Sequence, residues 1–188
     1  MSLLLKSGYC LVLLGIAFLL FVVQEFVPPM EWLQGARLVL VPIVVVYAGL
    51  ALPFPLVLLF TFFSGLMWDL LIYRELGGVA EISPGTSILI YTLVGIFAHG
   101  FRPLFMRGRW EIHCLLSGFC TVVMIAVEYA MITFRRSEIS YDTEVLWRIG
   151  GPGLVAILLA PVFYVGLGLL GQLMHCELQA EEEESFTI

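Results

Sequence analysis

Apolar residues fill long runs along this chain, and the polar, proline and glycine positions collect in short stretches between them. The first run extends from Tyr9 to Val27 and closes on Gln24, Glu25, Phe26 and Val27 before Pro28-Pro29. A proline pair cannot continue a helix, so a turn follows. The second run covers Ala36–Leu52 and stops at Leu52-Pro53-Phe54-Pro55. The third runs from Leu56 to Tyr73, and a loop around Gly77-Gly78 separates it from the fourth. Pro84 suits the first turn of that fourth run, which reaches Phe101. The fifth covers Glu111–Phe134, and Gly150-Gly151-Pro152-Gly153 opens the sixth, which ends near Met174. A helical span takes ~20 residues. The pattern predicts an all-α integral membrane protein, a bundle of six transmembrane helices with short loops. The expected spans are 9–27, 36–52, 56–73, 84–101, 111–134 and 153–174, with an acidic tail over 175–188, all within a single polytopic membrane domain, 1–188.

Composition narrows the class. Of 188 residues, 61% are hydrophobic and only 13% charged, against ~45–50% and ~25% in soluble domains. A soluble fold of this size has too little polar surface to cover so much apolar side chain. Soluble enzymes, disordered chains and disulfide-stapled modules are excluded on that ground. The net charge of −6 and nine scattered basic residues oppose nucleic-acid binding, which needs a dense basic stripe. Cys10, Cys114, Cys120 and Cys176 form no C-x-x-C pair, so buried small hydrophobes are expected rather than a metal or redox site. The first run is longer than the ~7–15-residue centre of a signal peptide and no small-x-small site follows, so it is expected to stay as a span.

Six spans put both termini on one side. Lys6, Arg102, Arg107 and Arg109 fall on that side, and Arg37, Arg74, Arg135, Arg136 and Arg148 on the other. The count of basic residues does not decide the orientation. The three-arginine loop carries no acid, whereas the large opposite loop mixes its arginines with carboxylates, which favours cytoplasmic termini. Arginines beside a bilayer also suit anionic headgroups.

Ionisable residues within spans cost ~2.5–3.5 kcal/mol on insertion scales and mark the informative positions. Glu25, Asp69 and Glu128 lie near the ends of the first, third and fifth runs. Alternation puts all three in one leaflet, on the side of Arg37, Arg74, Arg135, Arg136 and Arg148. They are read either as carboxylate–guanidinium pairs tying helix ends together or as a surface for a partner or polar ligand. No nucleophile or metal set accompanies them, so no catalytic residue, metal or cofactor is expected.

Four runs carry a small or polar stripe at helical spacing, which keeps each set on one face. The third has Thr61, Ser64-Gly65, Trp68-Asp69 and Ile72; the fourth has Ser87, Tyr91, Gly95, His99 and Arg102. The fifth has His113, Ser117, Thr121, Met124 and Glu128; the sixth has Ala156, Ala160, Tyr164, Gly168 and Gln172. Such faces point at other helices or line an interior cavity. His99 is expected as an interfacial side chain. Gly166, Gly168 and Gly171 spell G-x-G-x-x-G inside an apolar run without a preceding strand, so helix packing is the reading.

The centre of the chain resembles the rod shape-determining protein MreD family. The residues that carry the resemblance are Ser64-Gly65-Leu66-Met67-Trp68-Asp69-Leu70-Leu71, Leu76-Gly77-Gly78, Pro84-Gly85, and a following small-residue-rich run ending at Arg102. The likeness covers about residues 36–102. The loop from Tyr73 to Ser83 and the acidic-ended tail depart from it. The resemblance implies a non-enzymatic inner-membrane subunit of the bacterial cell-elongation machinery. Its implied partners are an MreC-like bitopic protein, a RodA-type glycosyltransferase with its penicillin-binding partner, and, indirectly, MreB-like filaments, in support of lateral peptidoglycan synthesis. Gly65 and Asp69 match the family pattern, and Gly77 and Arg102 match more loosely. With Glu25 and Glu128 they form the candidate set for partner or ligand binding. An alternative of another class is the substrate-binding membrane subunit of an energy-coupling-factor type transporter. A small lipid-acting membrane enzyme using His99 or Asp69 is a third, opposed by the lack of a paired acid-base or nucleophile motif.

Overall fold

The computed structural model describes residues 3–31, 35–71, 75–76, 79–80, 85–136 and 143–174. Among the described residues the architecture is helical apart from one two-residue ladder and an isolated antiparallel bridge between Met30 and Ala36. Its elements are α1 (Leu3–Phe26), α2 (Val41–Ala51), α3 (Phe54–Leu71), β1 (Glu75–Leu76), β2 (Val79–Ala80), α4 (Thr86–Gly100), α5 (Arg102–Met106), α6 (Glu111–Arg136) and α7 (Thr143–Leu173). β1 and β2 pair antiparallel, with Glu75 opposite Ala80 and Leu76 opposite Val79.

Among the described residues, four helices are long and apolar enough to cross a membrane: Leu5–Phe26 within α1, Phe54–Leu71, Glu111–Phe134 and Thr143–Leu173. The other two apolar runs form shorter helices, 11 residues in α2 and 15 in α4. At 1.5 Å per residue these reach about 17 and 23 Å, against a hydrocarbon core of ~30 Å. The six expected spans are therefore four helices of spanning length and two shorter apolar ones.

The shortness of α2 follows from its neighbours in sequence and in space. Proline stands in its first turn and Pro53 just beyond its end. Every one of its residues is buried, and it packs against α1, α3, α4, α5, α6 and α7. A helix that is apolar all round has no solvent or lipid face to present and belongs at the centre. Around this axis stand two antiparallel pairs, α3 with α4 and α6 with α7, and α1 lies against α2 and α3.

Close glycine contacts set both pairs. A Cβ on Gly65 of α3 would stand 2.7 Å from the Ile88 nitrogen and 2.9 Å from the Ser87 oxygen of α4. In the other pair, a Cβ on Gly118 would lie 3.0 Å from the Gly153 oxygen, and one on Gly153 equally close to the Gly118 oxygen. Small residues let helix backbones approach in this way, which is how helices associate where lipid removes the hydrophobic drive.

The last helix begins at Thr143, before the expected Gly150–Gly153 start, and carries Pro152 and Pro161 inside it. Gly151, Pro152 and Gly153 are buried, and Gly153 lies against Gly118 and Val122 of α6. Proline and glycine are tolerated in membrane helices where neighbours cover the freed backbone groups. A five-residue helix, α5, occupies the expected basic loop.

Candidate functional site

Two clusters of aromatic and polar side chains sit at opposite ends of the bundle. The first lies where α1 and α3 end and α4 begins. Asp69 is in the last turn of α3, where a negative charge opposes the helix dipole. Its Oδ2 accepts a hydrogen bond of 2.6 Å from the Gly85 N–H, immediately before α4. There the carboxylate meets the positive end of the next helix, which offsets the dipole conflict. Gly85 has φ 94°, a left-handed conformation that suits a residue without Cβ. Gly65 and Asp69, four residues apart, thus act on the same junction, one by close approach to Ser87 and Ile88 and one by capping.

Behind Asp69 the rings of Phe21, Trp68 and Tyr91 meet, with centroids 5.7 Å apart for Phe21–Trp68, 6.0 Å for Trp68–Tyr91 and 6.4 Å for Phe21–Tyr91. Tyr91 is 0% exposed, yet its hydroxyl has no hydrogen-bond partner in the protein. Glu128, toward the end of α6, belongs to this end of the bundle as well. Gly65 opposite Ile88 and Thr61 opposite Gly95 fix an antiparallel register that sets Ser64 level with Tyr91. The Ser64 hydroxyl is also fully buried and without a partner.

α1 reaches the same end. Gln24 is buried, and its Oε1 accepts 3.2 Å from the Leu40 N–H, just ahead of α2. The adjacent Glu25 pairs with Arg37 at 3.6 Å, with both side chains more than half exposed. Of the expected site residues, Glu25, Gly65, Asp69 and Glu128 therefore share this end. Arg102 does not. It opens α5 at the opposite end, with its Nε buried and unpartnered. Gly77 lies outside the described residues, as do Arg74 and the side chains of Arg135 and Arg136.

The second cluster centres on Tyr47 of α2. The Tyr9 hydroxyl donates 2.8 Å to the Leu167 carbonyl and lies 3.3 Å from the Tyr47 hydroxyl. Tyr47 meets Phe105 and His113 edge-on, at 6.1 and 5.6 Å, and Tyr164 touches both Phe105 and His113. His113 Nε2 is 3.3 Å from the Ile43 carbonyl. A carbonyl only accepts, so that nitrogen carries the proton. By the same argument His99 donates from Nδ1 to the Gly49 carbonyl at 2.8 Å, with Phe54 against its ring.

The stripes on the third, fourth and fifth runs face inward: Thr61, Ser64, Ser87, Tyr91, His113, Ser117 and Thr121 are all buried. On α7 the buried face runs through Ala156, Ala160, Leu167 and Gly171, while Gly166 and Gly168 face open space. Among the described residues, no three His, Cys, Asp or Glu side chains are grouped to hold a metal. A groove of about 610 Å³ between α6 and α7 is lined by apolar side chains including Leu115, Phe119, Trp147 and Ile157.

Sequence reasoning missed the role of Gln24, which looked like the polar end of an apolar run. Its spacing from Tyr9, Leu13, Ala17 and Phe21, at steps of four, four, four and three, places it on the buried face of α1 and carried the signal. Ser64 and Asp69 share the stripe of the third run and Tyr91 lies on that of the fourth, and only the α3–α4 register brings the two stripes level. No family model, curated protein or solved structure matches the chain.

Proposed function

We propose that this membrane protein is a non-enzymatic subunit of the bacterial cell-elongation machinery. In this reading it lies in the inner membrane as a six-span bundle with both termini cytoplasmic, α2 and α4 being its two short crossings. It assembles with an MreC-like bitopic protein and supports lateral peptidoglycan synthesis by a RodA-type glycosyltransferase and its penicillin-binding partner. MreB-like filaments are contacted indirectly.

One observation carries the reading. Residues on which the chain resembles the MreD family, Gly65, Asp69 and Gly85, are separated in sequence but meet at one junction. The Asp69 side chain there is only partly buried, so it both closes the α3–α4 pair and faces a neighbour. Depletion of the protein is expected to round or widen rod-shaped cells. Asp69→Ala is expected to reduce recovery of the MreC-like partner while leaving membrane insertion intact. Asp69→Asn, which keeps an acceptor for the Gly85 N–H but loses the charge, separates capping from charge recognition. Normal shape and full partner recovery in the alanine variant would remove the role given to Asp69.

A second reading, the substrate-binding subunit of an energy-coupling-factor type transporter, draws on the two open hydroxyls of Tyr91 and Ser64. Tight binding of a vitamin-like small molecule, together with recovery of a transporter coupling subunit, would favour it over the first.

A further inference from the structure

The arginines of the α4–α6 connection stand at the Tyr47 end with their charges unanswered. Arg102 opens α5, Arg107 follows its last residue, and Arg109 comes after Gly108. The Gly108 N–H donates 3.0 Å to the Phe105 carbonyl and its φ of 79° turns the chain, so the three basic residues share one tight connection. Phe105 anchors that connection against Tyr47 and Tyr164. Arg107 and Arg109 are exposed, whereas Arg102 is half-buried and its Nε is buried without a partner. Among the described residues no carboxylate pairs with any of the three, and this includes Glu111 at the start of α6. Like charges this close repel one another, and half-burial of Arg102 makes a counter-charge act more strongly than it does in open water. The chain's own densest run of acids, Glu181-Glu182-Glu183-Glu184, belongs to the segment 175–188, outside the described residues. That segment leaves from the same end. The Tyr9 hydroxyl meets the Leu167 carbonyl there, and a Cβ on Gly8 would touch the Met174 side chain at 3.8 Å. Met174 lies ten residues beyond Tyr164 in the chain, or about 15 Å along the helix direction. Glu181 to Glu184 follow Met174 by seven to ten residues, a reach of up to about 23–36 Å for extended chain. The run is therefore long enough to return to the level of Phe105 and Arg107.

We propose that Glu181–Glu184 dock on Arg102, Arg107 and Arg109, so that the chain's own acidic tail covers its basic connection. The carboxylates accept from the guanidinium N–H groups, the stronger kind of hydrogen bond. Exposed ion pairs are individually weak and are screened by salt. Tethering offsets this, because a short linker holds the run at a millimolar effective concentration, whereas a lipid headgroup has to be recruited. Anionic headgroups attract the same arginines and repel the tail, so docking is strongest beside a neutral bilayer and is loosened by an anionic one. This inference does not depend on the assembly reading.

The test uses the full chain, one copy per phosphatidylcholine nanodisc, where no anionic headgroup competes. A glutamyl endopeptidase cuts after Glu181–Glu184, and mass spectrometry follows loss of the C-terminal residues. A synthetic peptide of residues 175–188 gives the rate for an undocked run. At low salt the parent protein is expected to be cut about fivefold or more slowly than the peptide, and high salt should remove most of that protection. Arg107→Gln combined with Arg109→Gln should speed cutting about threefold or more. Both side chains are exposed, so this double variant should unfold at its parent's temperature. Adding Arg102→Gln should speed cutting further, and Arg37→Gln, at the other end of the bundle, should change nothing. The salt series on the parent protein needs no variant and tests docking even if an arginine variant folds poorly. Equal rates for the parent and the double variant, or protection that high salt leaves intact, would overturn the proposal. Discs containing phosphatidylglycerol examine the rival occupant. Parent and double variant cut alike in phosphatidylcholine, with phosphatidylglycerol retained by the parent alone, would make the connection a headgroup site and tail docking wrong.

Discussion

The two ends of the bundle are built from similar parts and differ in how their tyrosine hydroxyls are satisfied. At the Tyr47 end, the Tyr9 hydroxyl spends its proton on the Leu167 carbonyl and sits beside the Tyr47 hydroxyl. Tyr47 in turn meets Phe105 and His113 edge-on. At the Asp69 end, an equally buried tyrosine, Tyr91, has no partner for its hydroxyl. A hydrogen-bonded network that closes on protein groups holds helices together. The satisfied tyrosine pair of the Tyr47 end is not the whole of that end, since His113 Nδ1 and Arg102 Nε there are also without a partner. The difference therefore lies in the tyrosines: one pair ties α1, α2 and α7 together, and Tyr91 ties nothing through its hydroxyl. In the proposed function the Asp69 end is the recognising one.

That contrast can be broken by mutation, beginning with the largest effect. Gly65→Ala drives a Cβ into the Ser87–Ile88 backbone, which cannot rotate away as a side chain can. A loss of about 3 kcal/mol or more is expected, at the upper end for overpacking, read by unfolding in detergent micelles. Gly166→Ala, which meets open space, should stay within about 0.5 kcal/mol of the parent. Equal behaviour of the two would mean that the α3–α4 approach is not close.

Gln24→Leu removes the acceptor for the Leu40 N–H and leaves a buried donor open, at about 1–3 kcal/mol. The same measurement reads it, and faster hydrogen exchange at the Leu40 amide should accompany the loss.

The sharpest comparison pairs two conservative changes. Tyr9→Phe removes the donor to Leu167 and should cost about 1 kcal/mol. Tyr91→Phe removes an unpartnered hydroxyl, so stability should hold or rise by up to about 1 kcal/mol. If both variants lose the same stability, the two ends do not differ as described. The smallest effect belongs to Glu25→Gln. Its pair with Arg37 is 3.6 Å long and more than half exposed on both sides, so a change of about 0–1 kcal/mol is expected.

The sequence showed the helices plainly and their arrangement less so. Apolar runs mark where helices lie, because lipid and core both demand such residues. They do not tell one from the other. α2 is apolar on every side, and with no polar face to orient it, nothing in its own residues announces that it is the central axis. The start of α7 was obscured for another reason. Gly150-Gly151-Pro152-Gly153 has the composition of a helix boundary, but the same small residues let α6 approach Gly153, and tertiary packing carries the helix through. The stripes were more informative. Ser64, Tyr91, His113 and Ser117 stand inside, where polar groups on a helical period require protein neighbours. What no stripe shows is which neighbours. The Asp69–Gly85 bond and the level of Ser64 with Tyr91 depend on the α3–α4 register, which emerges only when Gly65 meets Ile88. Arg102 illustrates the converse. It shares a motif with Asp69 in sequence and stands at the other end of the bundle, because one helix length separates them.

The recognising role proposed for the Asp69 end is tested most directly by site-specific photo-crosslinking in living rod-shaped cells. Leu70, beside Asp69, and Leu158, midway along α7, are 71% and 74% exposed, so a photoreactive residue at either position is equally free to react. The account predicts that position 70 captures the host's MreC-like protein and that position 158 captures lipid alone. Capture of that protein from position 158 and not from position 70, or from neither in cells that keep their rod shape, would contradict it.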